Sequence, residues 1–243
     1  MTGIIKWLQK SILLNPIWIL ERINYRKVSE LISQHSIKTD ELWLDVGCGE
    51  RPYEDFFPKG VYIGVDVEDS GREARLKVPD YFYDGRTLPF SDNHFDGVLC
   101  TQVLEHVPDP NILLLEIARV LKPRGSLIIS VPFVHEEHEQ PFDFFRFSSF
   151  GMRELLINTN FEIECITKDT SAIITLGMLT NIFIVNNLVP KIKGTWAIFA
   201  FLFCFPIQGI AIILSKILPD QGSLYLNLIV KAIKKSDVET TPS

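Results

Sequence analysis

The chain has 243 residues, 47% of them hydrophobic and 22% charged, which is the composition of an ordered globular protein and excludes wholesale disorder. That length holds one well-buried α/β domain with additions, or two small domains. A formal net charge of −6 gives no general attraction to nucleic acid, so no nucleic-acid partner is expected.

The first forty residues read as a helical arm. Ile4, Ile5, Leu8, Ile12 and Leu13 recur at helical spacing, Asn15-Pro16 makes a break, and a second helix runs to about His35. Trp7 and Trp18 sit among lysines and arginines, a mix that suits a helix on a membrane surface and equally an arm packed on the domain. No small-residue cleavage site follows the apolar stretch, and Pro16 and Glu21 interrupt it, so a secretory signal is not expected. Cys48, Cys100, Cys165 and Cys204 show neither CxxC spacing nor a paired pattern. They indicate no zinc site and no disulfide framework, and free thiols fit a reducing cytoplasm.

From residue 41 to about 170, short β-rich runs alternate with helical stretches, the signature of a parallel sheet with helical crossovers. Strands are predicted at 42–46, 61–66, 81–84, 95–100, 126–131 and 161–167, with the clearest helix at 110–121. That helix opens on Asp109-Pro110, a cap and a first-turn proline, and stops before Lys122-Pro123-Arg124-Gly125. A last strand is read at 223–234, and residues 235–243 form a polar tail.

Mean hydropathy is +0.16, high for a soluble enzyme, and the excess lies in one place. Residues 172–218 carry three lysines, no acid and no arginine. Residues 172–189 and 196–214 are both uncharged, close to the roughly 20 residues that span a bilayer. Pro206, Gln208, Asn181, Asn186 and Asn187 weaken a simple two-span reading. Lys191 and Lys193 fall in the connecting turn, which two spans would put on the non-cytoplasmic side against the usual lysine bias. The expectation is therefore a monotopic or re-entrant attachment at the cytoplasmic face, with two spans or a buried homodimer interface as the other readings.

The strongest site signal is Leu42-Trp43-Leu44-Asp45-Val46-Gly47-Cys48-Gly49. An apolar strand delivers the chain into a turn with two glycines, where backbone approaches a ligand that a Cβ would block. Asp66 follows Gly47 by nineteen residues, at the end of the second strand, where an acid reaches ribose hydroxyls. A dinucleotide would want a third glycine opening a helix; here Glu50-Arg51-Pro52-Tyr53 follows, and Glu50 would repel a pyrophosphate. A nicotinamide-dependent oxidoreductase is disfavoured on both counts. A cofactor with a cationic sulfonium and an amino-acid tail suits the acidic loop better, with Asp45 holding the ammonium directly or through water.

Asp45-Val46-Gly47-Cys48-Gly49, the strand-end Asp66, Asp84-Gly85-Arg86-Thr87-Leu88-Pro89-Phe90, Phe95-Asp96-Gly97-Val98, Val103-Leu104-Glu105-His106-Val107 and Leu121-Lys122-Pro123-Arg124-Gly125 stand in this order. Together they resemble the class I S-adenosylmethionine-dependent methyltransferases, and among them the methyltransferase type 11 domain. The resemblance implies a Rossmann-like α/β fold: a seven-stranded, mostly parallel sheet with helices on both faces. The methyltransferase domain would be residues 41–170 with 223–234, interrupted by an apolar helical insert at 171–222. It further implies S-adenosylmethionine bound by Asp45, Gly47, Cys48 and Gly49 at the methionine end, Asp66 at ribose, Asp84 with Gly85 near adenine, and Thr101 and Gln102 alongside. Cys48 reads as a small packing residue rather than a nucleophile.

Glu105-His106 invites a general-base assignment to His106; the other reading is a structural signature capping the turn after strand four. Residues 131–147 follow strand five at the carboxyl edge of the sheet, where ligands bind. His138, Pro141, Asp143 and Arg146 there resemble the H-x-x-P-x-D-Y-x-R stretch of methyltransferases found among glycan and lipid-linked sugar enzymes. His138 becomes the other candidate base, and His135, Asp143 and Arg146 candidate acceptor contacts, unless Asp143 and Arg146 only pair with each other. The spacing of His135, Glu136 and His138 matches no standard metal set, so no metal is expected. The implied function is methyl transfer to a small-molecule, lipid-linked or glycan acceptor at a membrane surface. The alternative from another class is a catalytically silent membrane scaffold on the same fold.

Overall fold

The structure, a computed structural model, describes residues 18–35, 37–59, 61–70, 77–188 and 200–236. The predicted helix around residues 4–13 with Trp7, the turn carrying Lys191 and Lys193, Trp196, and the tail from residue 237 lie outside the described residues. The chain divides into two compact units, Lys27–Thr167 with Leu228–Ser243, and Met1–Arg26 with Lys168–Asn227.

Seven strands form one sheet: β1 (Trp43–Val46), β2 (Tyr62–Val67), β3 (Tyr81–Tyr83), β4 (Phe95–Thr101), β5 (Leu121–Pro132), β6 (Phe161–Lys168) and β7 (Asn227–Lys234). Their spatial order is β3-β2-β1-β4-β5-β7-β6, and the pairings from β3 across to β5 are parallel. The order reverses direction between β1 and β4, the switch point at which doubly wound sheets open a crevice at their carboxyl ends. β1 is buried along its whole length, as expected of a strand covered on both faces.

Helix α1 (Trp18–Gln34) contributes Val28 and Ile32 to a core with Trp43, Phe57, Tyr62, Leu99, Ile128 and Ile229. Trp43 is fully buried, and Gly97 on β4 lies flat against its ring, where a Cβ would come within 2.4 Å. Helix α2 (Pro110–Val120) starts as predicted: the Asp109 carboxylate accepts the Asn111 N–H, and Pro110 occupies the first turn. It ends one residue early because Leu121 already pairs with Phe95 on β4.

β5 is longer than predicted and absorbs Lys122-Pro123-Arg124-Gly125. The register explains both readings: Phe95 pairs with Leu121 and Gly97 with Ser126, so these four residues bulge from the strand. Arg124 takes a φ of +67° there, and Lys122 Nζ pairs with Asp96 at 2.8 Å. Helix α3 (Ser149–Asn158), capped by Ser148 Oγ on the Gly151 N–H, is one of the helices expected between the strands, for which the sequence supplied no bounds. β7 begins at Asn227 rather than 223, since the Leu226 and Asn227 N–H groups are taken by Thr170 Oγ1 and the Asp169 carboxylate.

In the second unit, the apolar stretch forms α4 (Ala172–Asn187), a short π-helical turn (Ala200–Cys204) and α5 (Phe205–Ser215). Ser171 caps α4. The helices meet at small residues: a Cβ on Gly177 would lie 2.9 Å from that of Ala211. Asn181 Nδ2 donates to the Cys204 carbonyl at 3.3 Å, a buried bond. Among the described residues, no helix is long and apolar enough to cross a membrane.

Candidate active site

The β1 strand ends in the turn that carries the glycines. Gly47 (φ +70°) and Gly49 (φ +51°) both take left-handed conformations, which cost a residue with a Cβ dearly. The Gly47 and Cys48 N–H groups donate to the Val65 carbonyl at 2.8 and 3.1 Å. A Cβ on Gly47 would come within 2.3 Å of Val103 Cγ2. Cys48 points away from the cleft, its Sγ where a Cβ on Gly64 would fall, and burial pushes its thiol up to about 12. It is packing material and not a nucleophile.

Asp45 lies fully inside. Its Oδ2 accepts the Tyr62 hydroxyl, while its Oδ1 is buried with no hydrogen-bond partner. Burial, aided by the charge of Asp66, pushes the carboxyl up to about 7 against the opposing Tyr62 hydrogen bond and Arg51 charge. An orphaned buried carboxylate oxygen is costly and marks a place where a donor belongs. Asp66 is better supplied: Oδ2 accepts the Gly49 N–H at 3.0 Å and Oδ1 the Val67 N–H at 2.8 Å. The Lys77 ammonium stands 3.4 Å from the same Oδ1 and donates to the Val67 carbonyl at 2.6 Å.

A cavity of about 720 Å³ opens here, with Gly47, Asp66, Asp84, Gly85, Gln102 and His106 of the predicted residues on its wall. Asp84 accepts the Thr87 and Arg86 N–H groups, which hold its carboxyl below the usual range. Gln102 (φ +55°) turns the chain at the end of β4, its N–H bound to the Ser130 carbonyl at 2.8 Å. Asp45, Cys48, Gly49, Thr101, His135, His138, Asp143 and Arg146 are not on the wall. Lys77, Phe82 and Ile112, which sequence reasoning passed over, are on it, as are Glu139 and Phe142 of the predicted 131–147 ligand-edge segment, neither singled out there. Nothing local announces them; only the fold brings loops so far apart in the chain to one cleft. The wall is acidic: Asp66, Glu68, Asp69, Asp84, Asp109 and Glu139 face Lys77 and Arg86.

Glu105 and His106 sit on the 3₁₀ turn Leu104–His106 after β4. His106 Nδ1 is 2.7 Å from the Phe142 carbonyl, which can only accept, so Nδ1 carries the proton and a neutral ring leaves Nε2 bare. Nε2 stands 3.9 Å from Glu105 Oε1 and 3.9 Å from Glu139 Oε2. Glu105 is fully buried and neither carboxylate oxygen has a hydrogen-bond partner; burial pushes it up to about 8. One Glu105 oxygen and ring nitrogens of His106 and His138 converge within 4.8 Å.

The loop after β5 is held by Arg146. Its Nε donates to the His135 carbonyl, Nη1 to Asp143 Oδ1 and the Phe145 carbonyl, and Nη2 to Asp143 Oδ2 and the Glu136 carbonyl. Those are the five N–H groups a guanidinium owns, so none is left over for an acceptor. Asp143, its side chain 3% exposed, is held well below the usual carboxylate range by this fork and also accepts the His138 N–H at 2.9 Å. The pair fixes the loop and thereby His138, whose ring lies edge-on to His106 at 4.9 Å between centroids.

Residues 44–129 match the family described as methyltransferase domain. A ubiquinone biosynthesis O-methyltransferase of Coxiella burnetii is 29% identical over 121 residues, 46% of this chain and 51% of that protein. The chain spans about half the length of the curated relatives it matches first. Among solved structures, a SAM-dependent methyltransferase from Thermotoga maritima superposes with a TM-score of 0.52 at 16% identity, covering 90% of this chain and 93% of that one. The [4+2]-cyclase SpnF superposes with a TM-score of 0.53 at 19% identity, covering 87% and 81%. The fold is that of the class I S-adenosylmethionine-dependent methyltransferases.

Proposed function

We propose that this chain, with a methyltransferase domain on a class I fold, transfers a methyl group from S-adenosylmethionine to an oxygen, nitrogen or carbon acceptor that is small, lipid-linked or glycan. The observation that carries the reading is the glycine turn, whose buried Asp45 keeps an unpartnered oxygen beside a cleft walled by acids.

The residues fit that cofactor. Gly47 leaves room that a Cβ would fill, Asp45 has an acceptor for an ammonium, and Asp66 stands where ribose hydroxyls are bound in such sheets. The acidic wall suits a cationic ligand and opposes a pyrophosphate. Phe82 and Ile112 on the same wall offer apolar surface to a base. When bound, the sulfonium supplies an already activated methyl group, so the protein's part is alignment, exclusion of water and, for a hydroxyl acceptor, removal of a proton. His106 on the wall and His138 behind it are the bases within reach of that task. Titration calorimetry with S-adenosylmethionine on the full chain tests the reading; a saturable one-site isotherm is expected. No heat and no protection from unfolding would leave the silent scaffold as the better account.

The setting we propose is the cytoplasmic surface of a membrane. In the α4–α5 pair Thr175, Gly177, Asn181, Gln208 and Ala211 are inside, beside Met178 and Ile182, while Thr180, Asn186 and Asn187 are exposed. Leu176, Phe183, Leu202, Phe203, Ile210, Ile213 and Ile217 are outside, each 48–71% exposed. So many large apolar side chains outside, with Gly177 against Ala211 and Asn181 bonded to the Cys204 carbonyl at the contact, suit helices packed in lipid. Sixteen residues in α4 make about 24 Å, short of a roughly 30 Å hydrocarbon core, which favours lying in one leaflet. The flanking Lys191, Lys193 and Lys216, with no acid between residues 172 and 218, favour anionic headgroups. Flotation with anionic vesicles should carry the protein upward, and Phe183→Glu with Ile213→Glu should release it; a monodisperse monomer or dimer that ignores vesicles would overturn the setting.

A further inference from the structure

One side-chain pair on α2 is devoted to the loop that follows Asp84. Arg119 Nη1 donates to the Phe90 carbonyl at 2.7 Å and to Asp92 Oδ1 at 2.8 Å, and Nη2 to the Leu88 carbonyl at 3.0 Å. Its Nε and its second Nη2–H go to the two Glu116 oxygens at 2.9 and 2.8 Å, which uses all five N–H groups of the guanidinium. Glu116 Oε2 in turn accepts the Leu88 N–H at 2.9 Å. Leu88 is thus held at both its N–H and its carbonyl, and its side chain is buried. An i,i+3 ion pair adds little to a helix by itself, so the effect of this one falls on the loop.

What the clamp places is Asp84. Its Oδ1 accepts the Arg86 and Thr87 N–H groups at 2.8 and 2.7 Å, so the carboxylate is oriented by the residues that lead directly into Leu88. Oδ2 keeps its capacity to accept. Asp84 and Gly85 share the cavity wall with Phe82 of β3 and Ile112 of α2. Ile112 stands about one turn before Glu116 on the same helix. One helix therefore supplies a side of the wall and also carries the clamp that fixes the side bearing Asp84.

We propose that Glu116 and Arg119 are positioning residues that set the slot between Asp84 and Ile112, and with it the choice of base in the bound nucleoside. This rests on the methyltransferase reading, in which Asp84 Oδ2 accepts the exocyclic amino group of adenine. A base entering between the apolar Phe82 and Ile112 meets an edge acid whose place is settled before it arrives. Such a preorganised acceptor discriminates because a ligand without the donor leaves it unpaired. A base with a carbonyl at that edge would bring one acceptor against another. Without the clamp the loop can retreat, and a wrong edge is no longer refused.

The test compares S-adenosylhomocysteine with S-inosylhomocysteine, which carries a carbonyl where adenine has its amino group, by titration calorimetry on the full chain. The wild type should bind the adenine ligand at least about tenfold more tightly, the scale of one charge-assisted hydrogen bond. Arg119→Met should bring that ratio to within about threefold of one, and Glu116→Gln, which keeps the shape, should move it the same way. A merely structural role would weaken both ligands by the same factor, and an unchanged ratio in the folded variants sinks the proposal. Should Arg119→Met fail to fold, Glu116→Gln decides by the same ratio. Equal affinity for the two ligands in the wild type would also overturn the assignment, since there would be no discrimination to position. A wild type that binds neither ligand would defeat the methyltransferase reading itself, a result distinct from a lost ratio.

Discussion

Asp45→Asn is expected to weaken S-adenosylmethionine binding by at least about tenfold at pH 7.5, the worth of one charge-assisted hydrogen bond. The reason lies in the lone oxygen of Asp45, which as part of a carboxylate would give an ammonium a charge-assisted bond that the neutral Asn carbonyl gives only weakly. The wild type should also bind more tightly as pH rises. Burial pushes this carboxyl up to about 7 in the folded chain, against about 3.9 in an unfolded one. Protonated Asp45 therefore favours folding; that contribution is complete below about pH 4 and is lost as pH climbs to 7. The cofactor needs the other form. Ionised Asp45 grows from a minority at pH 6 to a majority at pH 7.5, so affinity should improve roughly five- to tenfold across that interval. Calorimetry at the two pH values, in buffers of different ionisation enthalpy, checks this and counts the proton released. An equally tight variant with a flat wild-type profile would remove Asp45 from the cofactor site.

Arg146→Ala should cost about 3 kcal/mol of stability, the usual consequence of leaving a buried carboxylate without its partner. Five hydrogen bonds leave together, and Asp143 at 3% exposure has no water to turn to. Arg146→Lys keeps the charge but lacks the planar fork, so it should recover a minor part. Acid narrows the gap. The Asp143 carboxyl is depressed in the fold, so its contribution is present above the unfolded value near 3.9 and fades as pH falls further. Urea denaturation at pH 7 and pH 3 provides the comparison; identical midpoints for wild type and Arg146→Ala at pH 7 would show that the loop does not depend on this clamp.

Much of the architecture is written in short-range pattern. The first six strands in chain order and the capped helix α2 stand within about five residues of where alternation, glycine and Asp-Pro signals put them, the central ones because a covered parallel sheet demands continuous apolar runs. Helix α3 carried no such signal: Phe150 is 80% exposed and Gly151 sits in its first turn, so its periodicity is poor. The bulge at Lys122–Gly125 reads as a loop from sequence and is one, yet lies within β5. The glycine turn, Asp66, Asp84, Gln102 and His106 were legible because the motifs that hold them are local. The segment that holds Glu139 and Phe142 was legible too, but not which of its residues reach the wall, since that depends on the path that Arg146 imposes. Whether Asp143 and Arg146 serve each other or a ligand depends on counting donors, and carbonyls of Glu136 and Phe145 are invisible to a motif.

On the proposed cofactor reading, the Lys77 ammonium bears on how a nucleoside would be held. Both oxygens of Asp66 are already supplied with donors by the protein itself, which keeps the end of β2 ordered independently of any ligand. A ribose held there, as proposed, would share Asp66 with donors that the protein already supplies. The hydroxyls would then add to an acid already fixed in place, so the gain on binding would come from contacts and not from ordering Asp66.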